Sequence, residues 1–289
     1  MTLDQLRIFV AVAEALSMTR AAERLNLTQP AVSAAVAALE ERHDTRLFDR
    51  VGRRLELTEA GKLFLPEARE VLARAEAAQR VLVDLADLTR GEVRIAASQT
   101  VANYWLPERM ARFAGDNPGI RLDLVTGNTA QAVARVLGGE ADLGFVEGFV
   151  DEPILARRVV GHDRIGLYVA PGHRLAGCKV SKADLETTSW ALREPGSGTR
   201  ESMMAGLAKL GIAEDTLDIR MEFPSNDALL EAARAGDLIA GVSDMAAAPR
   251  VAAGLIQRLD CPLAERDFTM VTHRARRLGR AAAAFMASL

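Results

Sequence analysis

Residues 17–42 read SMTRAAERLNLTQPAVSAAVAALEER, and this stretch decides the fold of the N-terminal region. Ser17 is placed to cap a short helix that Asn26 closes, and Thr28 is placed to cap the helix that follows. An amphipathic helix over the first sixteen residues precedes them. Three short helices with a tight corner between the last two are typical of a helix-turn-helix, which we predict at about Met18 to Ala37.

The helix that begins after Thr28 is the candidate DNA-reading element. Its first turns hold Thr28, Gln29 and Pro30, and Ser33 lies one turn further on. The second helix of a helix-turn-helix lies in the major groove, where a glutamine can hydrogen-bond adenine through two bonds. The same helical pattern also suits an ordinary three-helix core, and taken alone it does not separate these two interpretations.

The next segment is basic and favours DNA binding. Five arginines fall between residues 42 and 54: Arg42, Arg46, Arg50, Arg53 and Arg54. Short apolar runs on either side of Gly52 predict a β-hairpin with Arg53 and Arg54 at its tip. We therefore predict a basic wing in which Arg50, Arg53 and Arg54 contact phosphates or the minor groove.

A long helix is predicted after the wing. Residues 59–88 contain no strong helix breaker except Pro66, which falls in the early turns, where proline is best tolerated. Apolar residues follow the alternating four and three spacing of a coiled-coil seam: Phe64, Ala68, Val71, Ala75, Ala78, Leu82 and Leu85. The pattern favours a dimerising helix that sets two reading heads on a pseudo-palindromic site. A helix packed on its own domain is the alternative.

From residue 91 the pattern changes to alternating strands and helices, which indicates a parallel sheet covered by helices. Strands are expected near 93–97, 120–125, 143–146, 165–169, 190–192, 219–223 and 238–242, and helices near 100–114, 129–137, 199–210 and 227–235. We expect two lobes joined by short crossover strands near residue 160, with a ligand between the lobes.

Three polar loops stand where strands end and helices begin. Ligands of open α/β sheets gather at such places, where helix N-termini present unpaired N–H groups. The candidate ligand residues in these loops are Ser98, Thr100, Asn128, Thr129, Ser197, Gly198, Thr199 and Arg200. Glycines, hydroxyl groups and the positive charges of Arg193 and Arg200 suit an anion. Simple helix capping by Ser98, Asn128 and Thr199 remains the alternative.

Composition and missing motifs weigh against other classes of protein. The 289 residues carry a formal net charge of −3, so any DNA contact must be local rather than a bulk electrostatic effect. Cys178 and Cys261 stand apart, which suggests neither a disulfide framework nor a metal site. The acidic Asp4 near the start and the absence of a long apolar run lead us to expect a cytoplasmic protein without a membrane anchor.

An enzyme is the first competing class. The sequence lacks the Gly-x-Ser-x-Gly elbow, the phosphate-binding Gly-x-x-x-x-Gly-Lys loop and the His-Glu-x-x-His helix. The four histidines, His43, His162, His173 and His273, stand in separate segments and are expected at the surface. We expect no catalytic residues, no metal and no cofactor. A periplasmic transport receptor and a purely architectural DNA binder are also disfavoured, because neither combines a helix-turn-helix with a ligand cleft.

An ordered series of motifs resembles the LysR-type transcriptional regulators. The motifs are AAERL at 21–25, QPAVS at 29–33, LE at 39–40, LFDR at 47–50 and LTEAG at 57–61. The resemblance implies a multidomain fold, with an all-α winged helix-turn-helix domain over 1–58, a dimerising linker helix over 59–90 and a two-lobed α/β effector domain over 91–289. The effector domain would resemble periplasmic binding proteins, with lobe I at about 91–160 and 267–289 and lobe II at about 161–266.

A finer resemblance lies in the effector region. Residues 193–200, REPGSGTR, together with GNT at 127–129 and VEG at 146–148, look like the family members that control carbon fixation and sulfur assimilation. This likeness adds Glu147 to the effector site and implies a small anionic metabolite or oxyanion, such as a sulfite-like or phosphorylated sugar ligand. It also implies sequence-specific binding to double-stranded promoter DNA, a homodimer or homotetramer, and contact with RNA polymerase when the regulator activates.

Two positions depart from the family pattern. Many members carry a basic residue where Ala34 stands and a glycine where Asp44 stands. A phosphate or base contact is expected to be missing at these positions.

Overall fold

The computed structural model describes residues 1–51, 54–86, 91–148, 150–261 and 263–289. The chain divides into an N-terminal unit, Met1–Ala86, and a C-terminal unit made of nearly all of residues 87–289. No helix of the described residues is both long enough and apolar enough to cross a membrane.

The N-terminal unit contains four helices and a hairpin in its described residues. They are α1 (Leu3–Ala15), α2 (Met18–Leu25), α3 (Gln29–Arg42), β1 (Phe48–Val51), β2 (Arg54–Leu57) and α4 (Glu59–Ala86). The predicted caps are present, because Ser17 accepts from the N–H of Arg20 and Thr28 accepts from the N–H of Ala31. Asn26 adopts the left-handed conformation that ends α2. Local capping chemistry therefore sets the corner between α2 and α3.

Phe9 is the centre of the core in this unit. Its ring centroid lies 5.5 Å from that of Phe48 on β1 and 5.0 Å from that of Phe64 on α4. The predicted stripe of α3 is buried against the same core, with Val32 and Val36 almost fully enclosed. Aromatic packing at these separations is favourable beyond the area that it buries. It joins α1, the hairpin and α4 around α3.

Glu40 ties the hairpin to α3. Its Oε1 accepts the backbone N–H groups of Leu47 at 2.7 Å and of Phe48 at 3.1 Å. A carboxylate that accepts two backbone N–H groups makes strong, directional bonds. The motifs at 39–40 and 47–50 are thus parts of one contact that holds the wing beside α3.

The coiled-coil seam predicted on α4 is wrong in its first turns. Phe64 packs in the core of its own unit, and Ala68 is completely buried there. The exposed apolar side chains of this part of the helix are Leu63 and Val71, at 75% and 42% exposure. The side chains of Leu82 and Leu85 lie outside the described residues. The alternative interpretation, a helix packed on its own domain, therefore applies to the start of α4.

The C-terminal unit is built on a mixed sheet of nine strands in the part of the chain that the structure describes. The strand order is β4-β3-β5-β11-β6-β9-β7-β8, and β10 pairs with β6; here β6 is Leu155–Val169, β10 is Gln257–Arg258 and β11 is Ala264–His273. One end holds β3 (Gly91–Ser98), β4 (Ile120–Gly127) and β5 (Leu143–Glu147), and the other holds β7 (Ser189–Arg193), β8 (Asp218–Phe223) and β9 (Ile239–Ser243). Strands are parallel within each end, as the alternating pattern predicts.

Helices cover both ends of the sheet. Lobe I carries α5 (Leu106–Asp116), α6 (Thr129–Leu137) and α11 (Arg280–Ala287), and a π-helical turn at Val101–Trp105 precedes α5. Lobe II carries α7 (Lys182–Thr187), α8 (Gly198–Lys209), α9 (Asn226–Ala235) and α10 (Asp244–Ala252). The sequence patterns missed α7, α10 and α11. The alanine-rich α11 was missed because small residues give a weak amphipathic signal.

Two strands run through both lobes. They are β6 (Leu155–Val169), with 15 residues, and β11 (Ala264–His273), with 10; β10 (Gln257–Arg258) lies between them in the chain. They pair antiparallel, and Asp163 stands opposite Arg266 in their register. The expectation of short crossovers is wrong, because each strand contributes core residues to a lobe as well as crossing between lobes. Phe268 packs in lobe I, and Ile165 packs in lobe II.

One histidine departs from the expected surface positions. The side chain of His173 is buried in lobe II, and its Nε2 lies 2.9 Å from Asp237 Oδ1. Burial lowers the pKa of His173 below its usual value. The imidazole has a structural role here, because its Nδ1 accepts the backbone N–H of Leu175.

Candidate DNA-binding and effector sites

The predicted DNA-reading residues share the outward face of α3. Thr28, Gln29 and Pro30 are exposed at its N-terminus, and Ser33 is half-buried one turn later. Gln29 Nε2 donates to Ser33 Oγ at 2.7 Å, as residues four apart on a helix can. The face is opposite the buried stripe, so these polar groups are free to meet a groove.

The wing presents two of its three predicted arginines, on opposite faces of the hairpin. Arg50 on β1 and Arg54 on β2 are exposed, and the strand register pairs Arg54 with Val51. Arg53 lies outside the described residues. The hairpin itself is the wing that the spacing around Gly52 predicts.

The two departures from the family pattern have different structural meanings. Asp44 has a positive φ of 48°, a left-handed conformation that glycine adopts freely and aspartate adopts more readily than most residues. This explains why a glycine suits the position and why aspartate is tolerated. Ala34 is exposed on the outward face of α3, where it offers only a methyl group.

A buried polar cluster lies where the two lobes meet, and Arg266 on β11 is at its centre. Its guanidinium donates to Asp163 Oδ2 through Nε at 2.9 Å and through Nη2 at 2.7 Å. The same group donates to Thr199 Oγ1 of lobe II at 3.1 Å and to Thr100 Oγ1 of lobe I at 3.3 Å. Only 2% of the Arg266 side chain is exposed. One buried cation thus connects both lobes and both crossover strands.

Two hydroxyl groups of this cluster, and a third at the end of β3, donate no hydrogen bond to any described residue. Thr100 Oγ1 accepts from Arg266 and also from Asn226 Nδ2 at 3.1 Å, and Thr199 Oγ1 accepts from Arg266. A hydroxyl that accepts still has one proton to donate. Ser98 Oγ is buried at the end of β3 and makes no hydrogen bond to any described residue. These groups are suited to a ligand that accepts hydrogen bonds.

Thr129 differs from the other predicted hydroxyl residues. Its Oγ1 donates to Glu147, to the backbone oxygen at 3.2 Å and to Oε2 at 3.3 Å. Gly198 packs against the same place, since a Cβ on it would lie 2.4 Å from the Glu147 backbone oxygen. The predicted residues Thr129, Glu147 and Gly198 are therefore brought together, but the Thr129 proton is already used.

The lobes also contact each other directly through Gln99 and Asn128. Gln99 donates to the backbone oxygen of Pro224 at 2.5 Å and accepts from the N–H of Asn226 at 3.1 Å. Asn128 Nδ2 donates to Glu194 Oε1 at 3.2 Å. Asn128 also caps α6, because its Oδ1 accepts from the N–H of Gln131. The capping alternative holds for Asn128, whereas Thr199 lies inside the first turn of α8.

Arg193 and Arg200, the arginines predicted to attract an anion, have other partners. Arg200 forms ion pairs with Glu214 and Glu222, and Arg193 pairs with Glu194. Ser197 is buried before α8 and makes no capping bond. The Arg200 guanidinium thus pairs with acids outside the polar cluster. Arg266 supplies the positive charge of the cluster instead.

Sequence reasoning missed two polar residues of this cluster, Arg266 and Asp163, and it marked Asn226 and Ser243 only as weaker candidates. Arg266 and Asp163 come from the two crossover strands, Asn226 begins α9, and Ser243 Oγ donates to Asp163 Oδ1 at 2.9 Å. A signal existed for Asn226 and Ser243, which stand at strand ends like the residues that were found. None marked Arg266, since its sequence neighbours Glu265 and Asp267 suggest a charged surface strand.

A winged helix-turn-helix unit in one chain with a two-lobed α/β unit defines a DNA-binding transcriptional regulator with an effector-binding domain. The chain belongs to the LysR family. Residues 3–62 match the bacterial regulatory helix-turn-helix protein of the lysR family, and residues 86–289 match the LysR substrate binding domain. The family predicted from the motifs is confirmed.

The relatives are transcriptional regulators. The chain is 34% identical to the uncharacterized HTH-type transcriptional regulator YeiE of Escherichia coli K12, over 99% of this chain and 96% of that protein. It is 33% identical to the RuBisCO operon transcriptional regulator of Allochromatium vinosum, over 98% and 94%. Full-length CbnR complexed with its target DNA has a similar fold, with a TM-score of 0.66, 26% identity and coverage of 100% and 98%. The chain is accordingly a regulator and not an enzyme.

Proposed function

We propose that this regulator binds promoter DNA sequence-specifically and adjusts transcription when a small anionic metabolite binds between its lobes. The observation that carries the proposal is the buried Arg266, which bonds the hydroxyls of Thr100 and Thr199 from the two lobes and leaves their O–H donors unused. The Ser98 hydroxyl, at the end of β3, is also buried without a partner among the described residues. Buried O–H donors next to a cation favour an anion.

The response to ligand follows from where these groups are attached. Thr100 belongs to lobe I, Thr199 to lobe II, and Arg266 to a strand that runs through both. A ligand that bonds both hydroxyls stabilises one setting of the lobes over another, and this difference in affinity shifts the population of the two settings. The lobe setting then alters how the DNA-reading units are presented.

Removing the two hydroxyls is expected to abolish the response to ligand. In Thr100→Ala/Thr199→Ala the effector affinity should fall by more than about a hundredfold, because a hydrogen bond to a charged group contributes roughly 1.5–3 kcal/mol. The measurement is a mobility shift on the upstream intergenic DNA, with and without a panel of small anions at constant salt. Thr100→Ser/Thr199→Ser keeps both hydroxyls and should respond like the wild type. An unchanged response of the alanine variant contradicts the assignment.

In the N-terminal unit, different residues are proposed to read bases and to bind phosphates. We expect Gln29→Ala to relax the preference for one base, at a cost of about 1–3 kcal/mol on the best site, and Arg54→Ala to weaken all sequences alike. Arg54→Ala should also reduce the slope of log affinity against log salt by about 0.9. Binding to the best site and to single-base variants over a salt series measures both effects. Arg112→Ala, which changes an exposed arginine of α5, is the control. If Gln29→Ala and Arg54→Ala give identical profiles, the proposed division between base reading and phosphate binding is wrong.

The chain is further proposed to act in the cytoplasm as a homodimer or homotetramer. The exposed Leu63 and Val71 on α4 support pairing of two copies through that helix. Contact with RNA polymerase is proposed for promoters that the protein activates. The effector is the only small molecule that the proposal requires.

A further inference from the structure

We propose that Glu147 restricts the effector to anions that carry a hydrogen-bond donor next to their negative charge. The inference rests on the proposed function, since it concerns the ligand of the same cluster. The ligand class that it predicts includes hydroxy acids, amino acids and oxyanions that retain a proton. Anions that can only accept hydrogen bonds are excluded.

The contacts of Glu147 leave part of its carboxylate unused. Only 2% of the side chain is exposed, and Oε2 accepts from Thr129 Oγ1 at 3.3 Å. The nearest cationic group, Arg266 Nη2, is 3.7 Å from Oε1, which is longer than a hydrogen bond. No donor among the described residues makes a hydrogen bond to Oε1. A carboxylate oxygen that has no donor from the described residues can accept one from a ligand.

Glu147 borders the hydroxyl groups assigned to the ligand. Arg266 Nη2, at 3.7 Å from Glu147, is also 3.3 Å from Thr100 Oγ1, and Arg266 Nη1 is 3.1 Å from Thr199 Oγ1. The backbone of Glu147 is fixed by Gly198, whose close approach leaves no room for a Cβ. A ligand between Thr100 and Thr199 therefore meets the Glu147 carboxylate.

The charge of Glu147 is not fully balanced by its neighbours. Arg266 is held by Asp163 through two bonds, so its positive charge is shared. Glu201, on the next turn of α8, adds a second carboxyl group, and burial and the charge of Glu147 raise the pKa of Glu201. A groove of 540 Å³ lined by Gly148, Glu201, Ser202 and Arg266 adjoins this place. The carboxyl groups of Glu147 and Glu201 thus lie close enough together to interact.

The chemical consequence is a preference among anions. An ionised carboxylate accepts hydrogen bonds and cannot donate one. A ligand oxygen that bears charge but no proton repels Glu147 and leaves both groups without a donor. A ligand O–H or N–H in the same position donates to Oε1. The hydroxyls of Thr100 and Thr199 recognise the charge, and Glu147 recognises the adjacent donor.

Inorganic phosphate and sulfate are the matched probes. Both are tetrahedral oxyanions of similar size, and at neutral pH phosphate retains an O–H whereas sulfate does not. We expect phosphate to bind the full-length wild-type protein roughly ten- to a hundredfold more tightly than sulfate, by titration calorimetry at constant ionic strength. In Glu147→Gln the amide can donate, so sulfate binding should improve and the preference should be lost or reversed. Glu147→Asp keeps an acceptor and should retain the preference.

Each outcome decides the inference. If the wild type binds the two anions equally, or if Glu147→Gln keeps the wild-type ratio, the inference is wrong while the proposed anion site stands. If Glu201→Gln changes the ratio and Glu147→Gln does not, selection belongs to Glu201 and the inference is again wrong. If neither anion binds to either protein, the anion site and the inference both fail. The wild-type comparison decides even if Glu147→Gln does not fold.

Discussion

Replacing Arg266 by methionine is expected to destabilise the C-terminal unit by about 3–5 kcal/mol, the usual cost of removing one partner of a buried ion pair. Asp163, with 1% of its side chain exposed, would lose both bonds from the guanidinium and keep only the one from Ser243. Thr100 and Thr199 would lose donors as well. The change also removes the contact that joins both lobes to β11.

Urea unfolding followed by tryptophan fluorescence measures this effect selectively. The two tryptophans of the chain, Trp105 and Trp190, are both buried in the C-terminal unit. Arg266→Met/Asp163→Asn is the matched control, because the double change leaves no unpaired buried charge. It should recover part of the lost stability. If the single and double variants unfold alike, the Arg266–Asp163 pair does not carry the stability assigned to it.

Replacing Gly198 by alanine is expected to prevent the close approach of the lobes. The added Cβ would lie 2.4 Å from the Glu147 backbone oxygen and 2.6 Å from Thr129 Oγ1. The contact with the Glu147 backbone oxygen cannot be relieved without moving α8 away from β5. Overpacking of this kind costs about 1–3 kcal/mol, and here the strain falls on the interlobe contact. We expect effector binding to be lost while DNA binding is retained.

Hydrogen exchange can detect the separation of the lobes. The amide of Ala130 in lobe I donates to the Gly196 backbone oxygen of lobe II at 3.2 Å, so its exchange should accelerate in Gly198→Ala. The amide of Ala132 bonds within lobe I, to the Asn128 oxygen, and should exchange as before. Gly115→Ala is the control substitution, because a Cβ there meets nothing within 4 Å. Unchanged exchange at Ala130 contradicts this role of Gly198.

Much of the N-terminal unit could be predicted from local patterns. Ser17, Asn26 and Thr28 cap the helices as expected, and the residues around Gly52 form the hairpin. The prediction failed on α4, where the spacing of Phe64 and Ala68 suited two partners equally well. A coiled-coil partner and the core of the same unit both bury a seam at helical spacing, so spacing alone does not distinguish them.

The effector cluster was predicted in part. Ser98, Thr100 and Thr199 were found because strand ends and helix starts are visible in the pattern. The prediction that Arg200 supplies positive charge to the effector cluster was wrong. Its guanidinium forms ion pairs with Glu214 and Glu222 instead, and both acids are distant from it in sequence. The length of β6 was underestimated, because a strand that crosses between lobes changes its environment midway and shows no single alternation.

The sequence by itself determined the helix-turn-helix, the wing, the change to an α/β unit and the family, because caps, turns and periodicities act between residues a few positions apart. Only the tertiary structure decided which buried charges meet. Arg266 and Asp163 are 103 positions apart, and Arg266 and Thr100 are 166 apart. Their contacts exist because two crossover strands pair between two lobes with Asp163 opposite Arg266, and no local pattern specifies that pairing. The chemistry of the effector cluster is set by those distant pairings.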